Sequence, residues 1–262
     1  VETLHQRRVI HKDLTPGNIL LNRATHSLKL IDFGISTMLD REEQSFGSHA
    51  TIEGTLSYIS PEQTGRINRA VDQRSDLYTL GVTLYELLLG QLPFRDGDPL
   101  SIVHSHIARR PPVPVEIDAR VPPILSDILL KLLEKDADAR YQTARGLRFD
   151  LERLLALYDD KESAGRKLVF PLGQNDRAGT LLLSQRLYGR DEELKTLLAA
   201  YGQVTAGTSK LLLVGGYSGI GKSALVREIY RPVTEARGFF IAGKYDQRSE
   251  EHTSELQSRQ CI

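Results

Sequence analysis

The segment RSDLYTLGVTLYELLLG, residues 74–90, carries apolar side chains right round its circumference when wound as a helix. Such a helix has no face to spare for water, so it belongs in the middle of a domain core. Gly90, followed by Pro93, ends it. Two amphipathic segments can pack around it: PPILSDILLKLLEKD (122–136) and TARGLRFDLERLLALY (143–158) set Leu or Ile at helical spacing against a polar side. Tyr78, Tyr85 and Leu87 to Leu89 read as core packing. The Pro-rich run RRPPVPVEIDARVPP (109–123) reads as a loop between helices, opening on a solvated helix end. Upstream, LLNRATHSLKLID (20–32) reads as two short strands around a polar turn. Residues 1–158 are therefore expected to form one helix-rich unit.

The pattern then changes. A polar linker spans 159–186, with DDKESAGRK and GQNDRAGT as its least structured parts. From LYGRDEEL (187–194) onward the spacing predicts a helix over 191–202, a strand over 210–214, a glycine-rich turn, a helix over 222–236 and a second strand, GFFIAG. Strand, turn, helix, strand is the start of a parallel α/β sheet. The turn contains Gly216-x-x-x-x-Gly221-Lys222-Ser223, with Gly219 inside it. Backbone N–H groups of such a loop converge on phosphates, and the helix N-terminus adds positive potential. Lys222 is expected to reach the β/γ oxygens and Ser223 to ligate Mg2+.

Composition removes several classes of function. Of 262 residues, 40% are hydrophobic and 26% charged, the mix of an ordinary globular protein. Lys plus Arg equals Asp plus Glu at 34 each, so no global field favours nucleic acid or an anionic membrane. The longest apolar stretches, such as LLLV at 211–214, are too short to cross a bilayer, and residues 1–10 lack the apolar core of a signal peptide. The one cysteine, Cys261, allows no internal disulfide. A cytoplasmic location is the expectation. His104-x-His106 lies in a plausible helix, where residues two apart diverge, so it reads as a pair of surface histidines rather than a metal site.

The chemistry opens with HKDLTPGNILL (11–21). Moving a γ-phosphoryl group onto a hydroxyl needs a carboxylate to orient the acceptor, oxygen ligands for metal, and neutralisation of spread negative charge. Asp13 can take the hydroxyl proton and Asn18 can offer its amide oxygen to a metal. A second metal carboxylate, Asp32, follows in IDFGIS after a strand, at a spacing that lets a tight hairpin return it to the same place. Gly34 permits a sharp backbone turn there.

The ordered set His11, Asp13, Asn18 and Asp32-Phe33-Gly34 resembles the C-terminal lobe of eukaryotic-type Ser/Thr protein kinases, from the catalytic loop to the last helix. GTLSYISPEQ (54–63) resembles the end of that family's activation segment, with Ser60-Pro61-Glu62 for the usual Ala-Pro-Glu. The resemblance implies that Glu62 pairs with Arg140, that Asp76 braces the catalytic loop, and that Thr55 contacts Asp13. Two positions depart from the family. Lys12 replaces an Arg, and only a guanidinium fork binds phosphate bidentately, so control by phosphorylation at Ser45, Ser48 or Thr51 is less expected. Thr15 replaces a Lys that would neutralise the transferring phosphate.

LYGRDEEL and GYSGIGKSALV resemble the opening of AAA-like signalling ATPases. The two likenesses together resemble large multidomain signalling kinases that join a Ser/Thr kinase, an ATPase and sensor and histidine-kinase domains. The fold expected is thus a mostly α protein-kinase C-terminal lobe (1–158), the linker, and the start of an α/β P-loop NTPase (187–247). The resemblance implies ATP and Mg2+ as cofactors, a protein substrate with a Ser or Thr acceptor, and sensor or histidine-kinase domains further along the same chain. It also implies a piece truncated at both ends, with the nucleotide-covering lobe upstream of Val1, which by itself transfers no phosphate. The alternative is a pseudokinase scaffold coupled to a regulatory ATPase. The tail, RSEEHTSELQSRQCI (248–262), resembles translated sequencing adapter and is set aside from these expectations.

Overall fold

The computed structural model describes residues 1–38, 54–67, 69–159, 170–177, 189–217, 219–236, 238, 240 and 241. Ser45, Ser48, Thr51 and the tail 248–262 lie outside these residues. At the centre stands α2 (Gln73–Leu89), within a residue of the limits predicted. The Asp72 side chain caps its start by accepting from the Arg74 amide, and Gly90 closes it in the left-handed conformation at φ 66. Around it pack α5 (Pro123–Leu132) and α6 (Ala144–Asp159). Leu77 meets Ile124, Ile128, Leu132, Leu147 and Leu154 in one buried cluster, while Tyr78, Val82, Tyr85 and Leu133 form a second. A Cβ on Gly81 would stand 2.7 Å from Leu132 Cβ, so this close approach of α2 and α5 requires glycine. Leu87 and Leu88 correct the expectation of core packing. They are 65% and 38% exposed, because of the three only Leu89 packs against the second cluster.

A short α1 (Glu2–Gln6) precedes β1 (Val9–Ile10), which pairs antiparallel with β4 (Thr37–Met38). Between them, β2 (Ile19–Asn22) and β3 (Ser27–Leu30) form the hairpin read from LLNRATHSLKLID. Beyond α2 come α3 (Pro99–Ala108) and the single turn α4 (Pro114–Ile117). Part of the expected linker is built into this body. Phe170 is buried in the α2–α5–α6 core, and Asp176 accepts from the amides of Gln142 and Thr143 and from the Thr143 hydroxyl at the head of α6. Asp176 thus satisfies the two amides just ahead of the helix, while the Thr143 hydroxyl oxygen caps α6 by accepting from the Gly146 amide.

In the C-terminal part, α7 (Asp191–Thr205) matches the predicted helix. The expected helix over 222–236 is instead two short ones, α8 (Lys222–Arg227) and α9 (Tyr230–Glu235). Pro232 explains the break, since it offers no amide to the carbonyl of Glu228 and its ring crowds that carbonyl. No strand forms over 210–214, and Leu211 and Leu213 are 86% and 87% exposed. An extended run needs a neighbour for its backbone groups, and none pairs with it among the described residues. The described residues of GFFIAG are not in a strand either; Phe240 packs on the Tyr230 ring at 4.2 Å.

Candidate active site

The stretch from His11 to Asn18 has no regular structure until the 3-10 turn at Pro16–Asn18, so side chains from elsewhere must set its shape. Asp76, fully buried in the first turn of α2, supplies much of this. Its Oδ2 accepts from the His11 amide at 2.9 Å and from His5 Nε2 at 2.9 Å, and its Oδ1 accepts from the Lys12 amide at 2.8 Å. This is the brace expected of Asp76. The Thr83 hydroxyl adds a bond to the Leu14 carbonyl at 2.5 Å. Lys12 is held at φ 70, a left-handed conformation that costs a residue with a Cβ roughly 1 kcal/mol or more.

Asp13 meets a different donor on each carboxylate oxygen. Oδ1 accepts from the Thr55 amide at 3.1 Å and Oδ2 from Asn18 Nδ2 at 2.9 Å. Thr55 thus makes its expected contact through the backbone. Asn18 Nδ2 also donates to the Asp13 carbonyl at 2.9 Å, so the amide nitrogen is committed, and Asn18 Oδ1 accepts nothing among the described residues.

The hairpin returns Asp32 to this place as its spacing predicts. The Ile31 amide donates to the Asn18 carbonyl at 3.0 Å, and the Ile31 carbonyl accepts from His11 Nε2 at 3.1 Å. His11 Nδ1 then accepts from the Asp13 amide at 3.3 Å, which assigns the ring proton to Nε2. The Phe33 ring lies 4.8 Å from the His11 ring, centroid to centroid. The turn itself differs from expectation. The left-handed residue is Asp32, at φ 61, and not Gly34. Asp tolerates this conformation, and its Oδ1 accepts from the Gly34 amide at 3.2 Å, an Asx-type turn.

Glu62 and Arg140 meet as the resemblance implied, at 2.6 Å and 2.9 Å in a two-pronged pair with both side chains buried. The remaining guanidinium donors reach the carbonyls of Glu134, Lys135 and Arg74, which accounts for all five N–H groups. Burial alone would push the Glu62 carboxyl up; the Arg140 charge, its hydrogen bonds and the Ser75 hydroxyl together hold it below the ordinary carboxylate range. Next in the chain, Gln63 donates from Nε2 to the Lys12 carbonyl at 2.8 Å.

Behind this segment runs a polar chain that corrects the reading of His106 as a surface residue. His106 is fully buried: its Nε2 donates to the Ser57 carbonyl at 3.2 Å and its Nδ1 accepts from the Tyr78 hydroxyl at 3.0 Å. Lys135 Nζ donates in turn to the Tyr78 oxygen at 3.1 Å and lies 4.4 Å from the Phe94 ring centroid. Burial, followed by the Lys135 charge, pushes the His106 imidazole down to about 3, against the pull of its bond to Ser57. Burial and then the Arg140 charge lower Lys135 to about 7. His104 is half-buried, with Nε2 donating to the Glu235 carbonyl at 3.2 Å. Periodicity missed His106 because a histidine on the inner face of α3 reads like one on the outer face until its partners are known.

The phosphate loop has the backbone its glycines permit: Gly216, Gly219 and Gly221 stand at φ 152, 80 and 92. Lys222 Nζ donates to the loop's own carbonyls at Gly216 and Tyr217, at 2.8 and 2.7 Å. Ser223 is exposed at the head of α8. Arg190 of LYGRDEEL reaches the Ile220 carbonyl at 3.3 Å, so that motif lies against the loop. Among the described residues, no three His, Cys, Asp or Glu side chains gather as a metal cluster, and no helix is long and apolar enough to cross a membrane.

Comparison with known proteins recognises two stretches of the chain. Residues 1–149 match the protein kinase domain and residues 186–261 the AAA ATPase domain. A hybrid signal transduction histidine kinase G of Dictyostelium discoideum is 39% identical over 210 residues, covering 74% of this chain and 6% of its own length. The serine/threonine-protein kinase PknB of Mycolicibacterium smegmatis is 40% identical over 150 residues, 57% of this chain and 24% of that protein. A probable serine/threonine-protein kinase of Streptomyces coelicolor is 37% identical over 155 residues, 59% of this chain and 23% of that protein. The chain thus spans a quarter or less of the length of each of these relatives. Since the kinase match alone takes in more than half of the residues, including every side chain around Asp13, the chain belongs to the protein kinase domain family.

Proposed function

We propose that this chain carries the catalytic loop of an ATP-dependent Ser/Thr protein kinase, joined to a P-loop ATPase module in a multidomain signalling protein. One observation carries the reading: both Asp13 carboxylate oxygens are fixed by donors from the catalytic loop and the activation segment, Asn18 and Thr55. In the transfer, the acceptor hydroxyl oxygen of a Ser or Thr bonds to the γ-phosphorus of ATP and the bond to the β–γ bridging oxygen breaks. The hydroxyl proton passes to an Asp13 oxygen, and ADP leaves.

The residues fit Mg2+. A hard cation takes oxygen ligands, and Asn18 Oδ1 and Asp32 Oδ2 are the oxygens left over once Asn18 Nδ2 has bonded Asp13 and Asp32 Oδ1 has bonded Gly34. When bound, Mg2+ would neutralise charge on the phosphates. Glu62, Arg140, Asp76 and His11 hold the loop in shape. In the second module, Gly216, Gly219, Gly221, Lys222 and Ser223 would cradle a nucleotide, with Lys222 exchanging its carbonyl partners for phosphate oxygens. Domain limits of 1–158, 159–186 and 187–247 suit this reading, with 170–177 docked on the kinase lobe. The partners are a protein substrate and, on the analogy of the hybrid relative, sensor and histidine-kinase domains of the same chain.

Thr15 carries no charge to neutralise the transferring phosphate, and this favours a second reading as a pseudokinase scaffold beside a regulatory ATPase. Radiolabelled ATP and phosphoamino-acid analysis of the intact protein separate the two. The kinase reading expects label on Ser or Thr that is lost in Asp32→Asn; label transferred equally by wild type and Asp32→Asn would overturn it.

A further inference from the structure

We propose that Gln63 is a positioning residue for phosphoryl transfer, acting through the Lys12–Asp13 peptide; this rests on the kinase reading above. The orientation of Asp13 depends on the peptide that precedes it. The amide of that peptide is held by His11 Nδ1 at 3.3 Å and its carbonyl by Gln63 Nε2 at 2.8 Å. One residue back, the Lys12 amide is held by Asp76 Oδ1 at 2.8 Å. Lys12 is at φ 70, so its backbone relaxes unless both sides are gripped. Asp76 grips one side from α2. Gln63 grips the other from the 3-10 turn at Glu62–Thr64.

The direction of the Gln63 carboxamide is unambiguous. Its Oε1 accepts from the Ser60 amide at 3.1 Å and from the Ser60 hydroxyl at 2.8 Å, so the nitrogen faces Lys12. Gln63, Ser60 and Lys12 are all buried, which keeps water from replacing the bond. Gln63 also follows Glu62, whose pair with Arg140 fixes the segment on the lobe. Gln63 therefore ties the end of the activation segment to the backbone that aims Asp13, and a shift of that segment would reach Asp13 through one hydrogen bond. It touches no substrate and no reacting atom.

Gln63→Glu tests this in the intact protein. The variant keeps the shape but turns an acceptor towards the Lys12 carbonyl. At pH 8 the proposal expects kcat to fall between about ten- and a hundredfold, the scale of a small misplacement of a catalytic group, with KM for ATP within about twofold of wild type. Burial against a carbonyl raises a carboxyl's pKa, so lowering the pH towards 6 protonates the introduced carboxyl, restores a donor and recovers activity relative to wild type. Gln63→Met keeps the length without a donor and should be slow at every pH. Both variants are normalised to the fraction of folded protein, measured by circular dichroism, so loss of folded protein does not count as loss of turnover. A kcat per folded protein within twofold of wild type in Gln63→Met, or a Gln63→Glu profile parallel to wild type, overturns the proposal. Failure of the kinase reading looks different: wild type itself would then transfer nothing.

Discussion

Arg140 shows how much of this fold hangs on single polar side chains. Five donors leave one planar head, and each finds a partner among Glu62 and three carbonyls. A lysine offers three donors from a point charge, so Arg140→Lys strands acceptors that water cannot reach. Breaking a buried pair of this kind costs roughly 3–5 kcal/mol, and urea unfolding of Arg140→Lys is expected to show a loss at the lower end of that range. Unchanged unfolding would mean that the pair is idle. His106 makes a pH-dependent prediction. Its imidazole is pushed down to about 3 in the folded chain from an ordinary 6.5, so the unfolded state binds the extra proton between these values. Stability tied to His106 is complete above pH 6.5 and is lost progressively as pH falls towards 3. His106→Gln can still accept from Tyr78 and donate to Ser57, yet cannot titrate. The stability of this variant should therefore fall less steeply than that of wild type as pH drops from about 6.5 to about 4.5, and parallel slopes would refute the assignment.

Among the helices and hairpins, α2 sets the frame on which the others pack. Gly81 lets α2 and α5 approach until a Cβ would lie 2.7 Å from Leu132 Cβ. Gly81→Ala should therefore lower stability by about 1–3 kcal/mol through overpacking, although alanine favours helix; a rise in Tm would contradict this packing. The same element shows what sequence alone discloses. Apolar residues round the whole circumference place α2 in the core and Gly90 ends it, because both signals are local. The β2–β3 hairpin and the return of Asp32 towards Asn18 are legible for the same reason. Partnership is not. Whether Leu87 packs, whether His106 is inside, and that Asp176 binds the residues leading into α6 depend on surfaces far away in sequence. The break between α8 and α9 was legible, since Pro232 announces it, but the apolar spacing over 222–236 masks the proline. The run 210–214 has strand-forming residues with no strand beside it among the described residues, so its propensity finds no ladder there. In the site, Asp13, Asn18 and Asp32 follow from chemistry and order along the chain, whereas Gln63 carries no signal of its own.

Across the whole molecule, two nucleotide-related sites lie in one chain, with part of the segment between them packed into the kinase lobe through Phe170 and Asp176. The kinase site holds its carboxylate with donors from two distant stretches, and the P-loop ammonium sits on its own carbonyls. On the proposed reading, the first arrangement serves to take a proton from a hydroxyl, and the second would exchange those carbonyls for phosphate oxygens. On the same proposed reading, Asp13 performs chemistry and does more than hold the loop together. The most direct test of this is single-turnover phosphate transfer to Ser or Thr by the intact protein, wild type against Asp13→Asn, with ATP affinity measured in parallel. Asn keeps an oxygen for the Thr55 amide, so the account predicts affinity within about threefold of wild type. Transfer should be slower by roughly a hundredfold or more, the scale of a lost general base. Transfer by Asp13→Asn at the wild-type rate would contradict it.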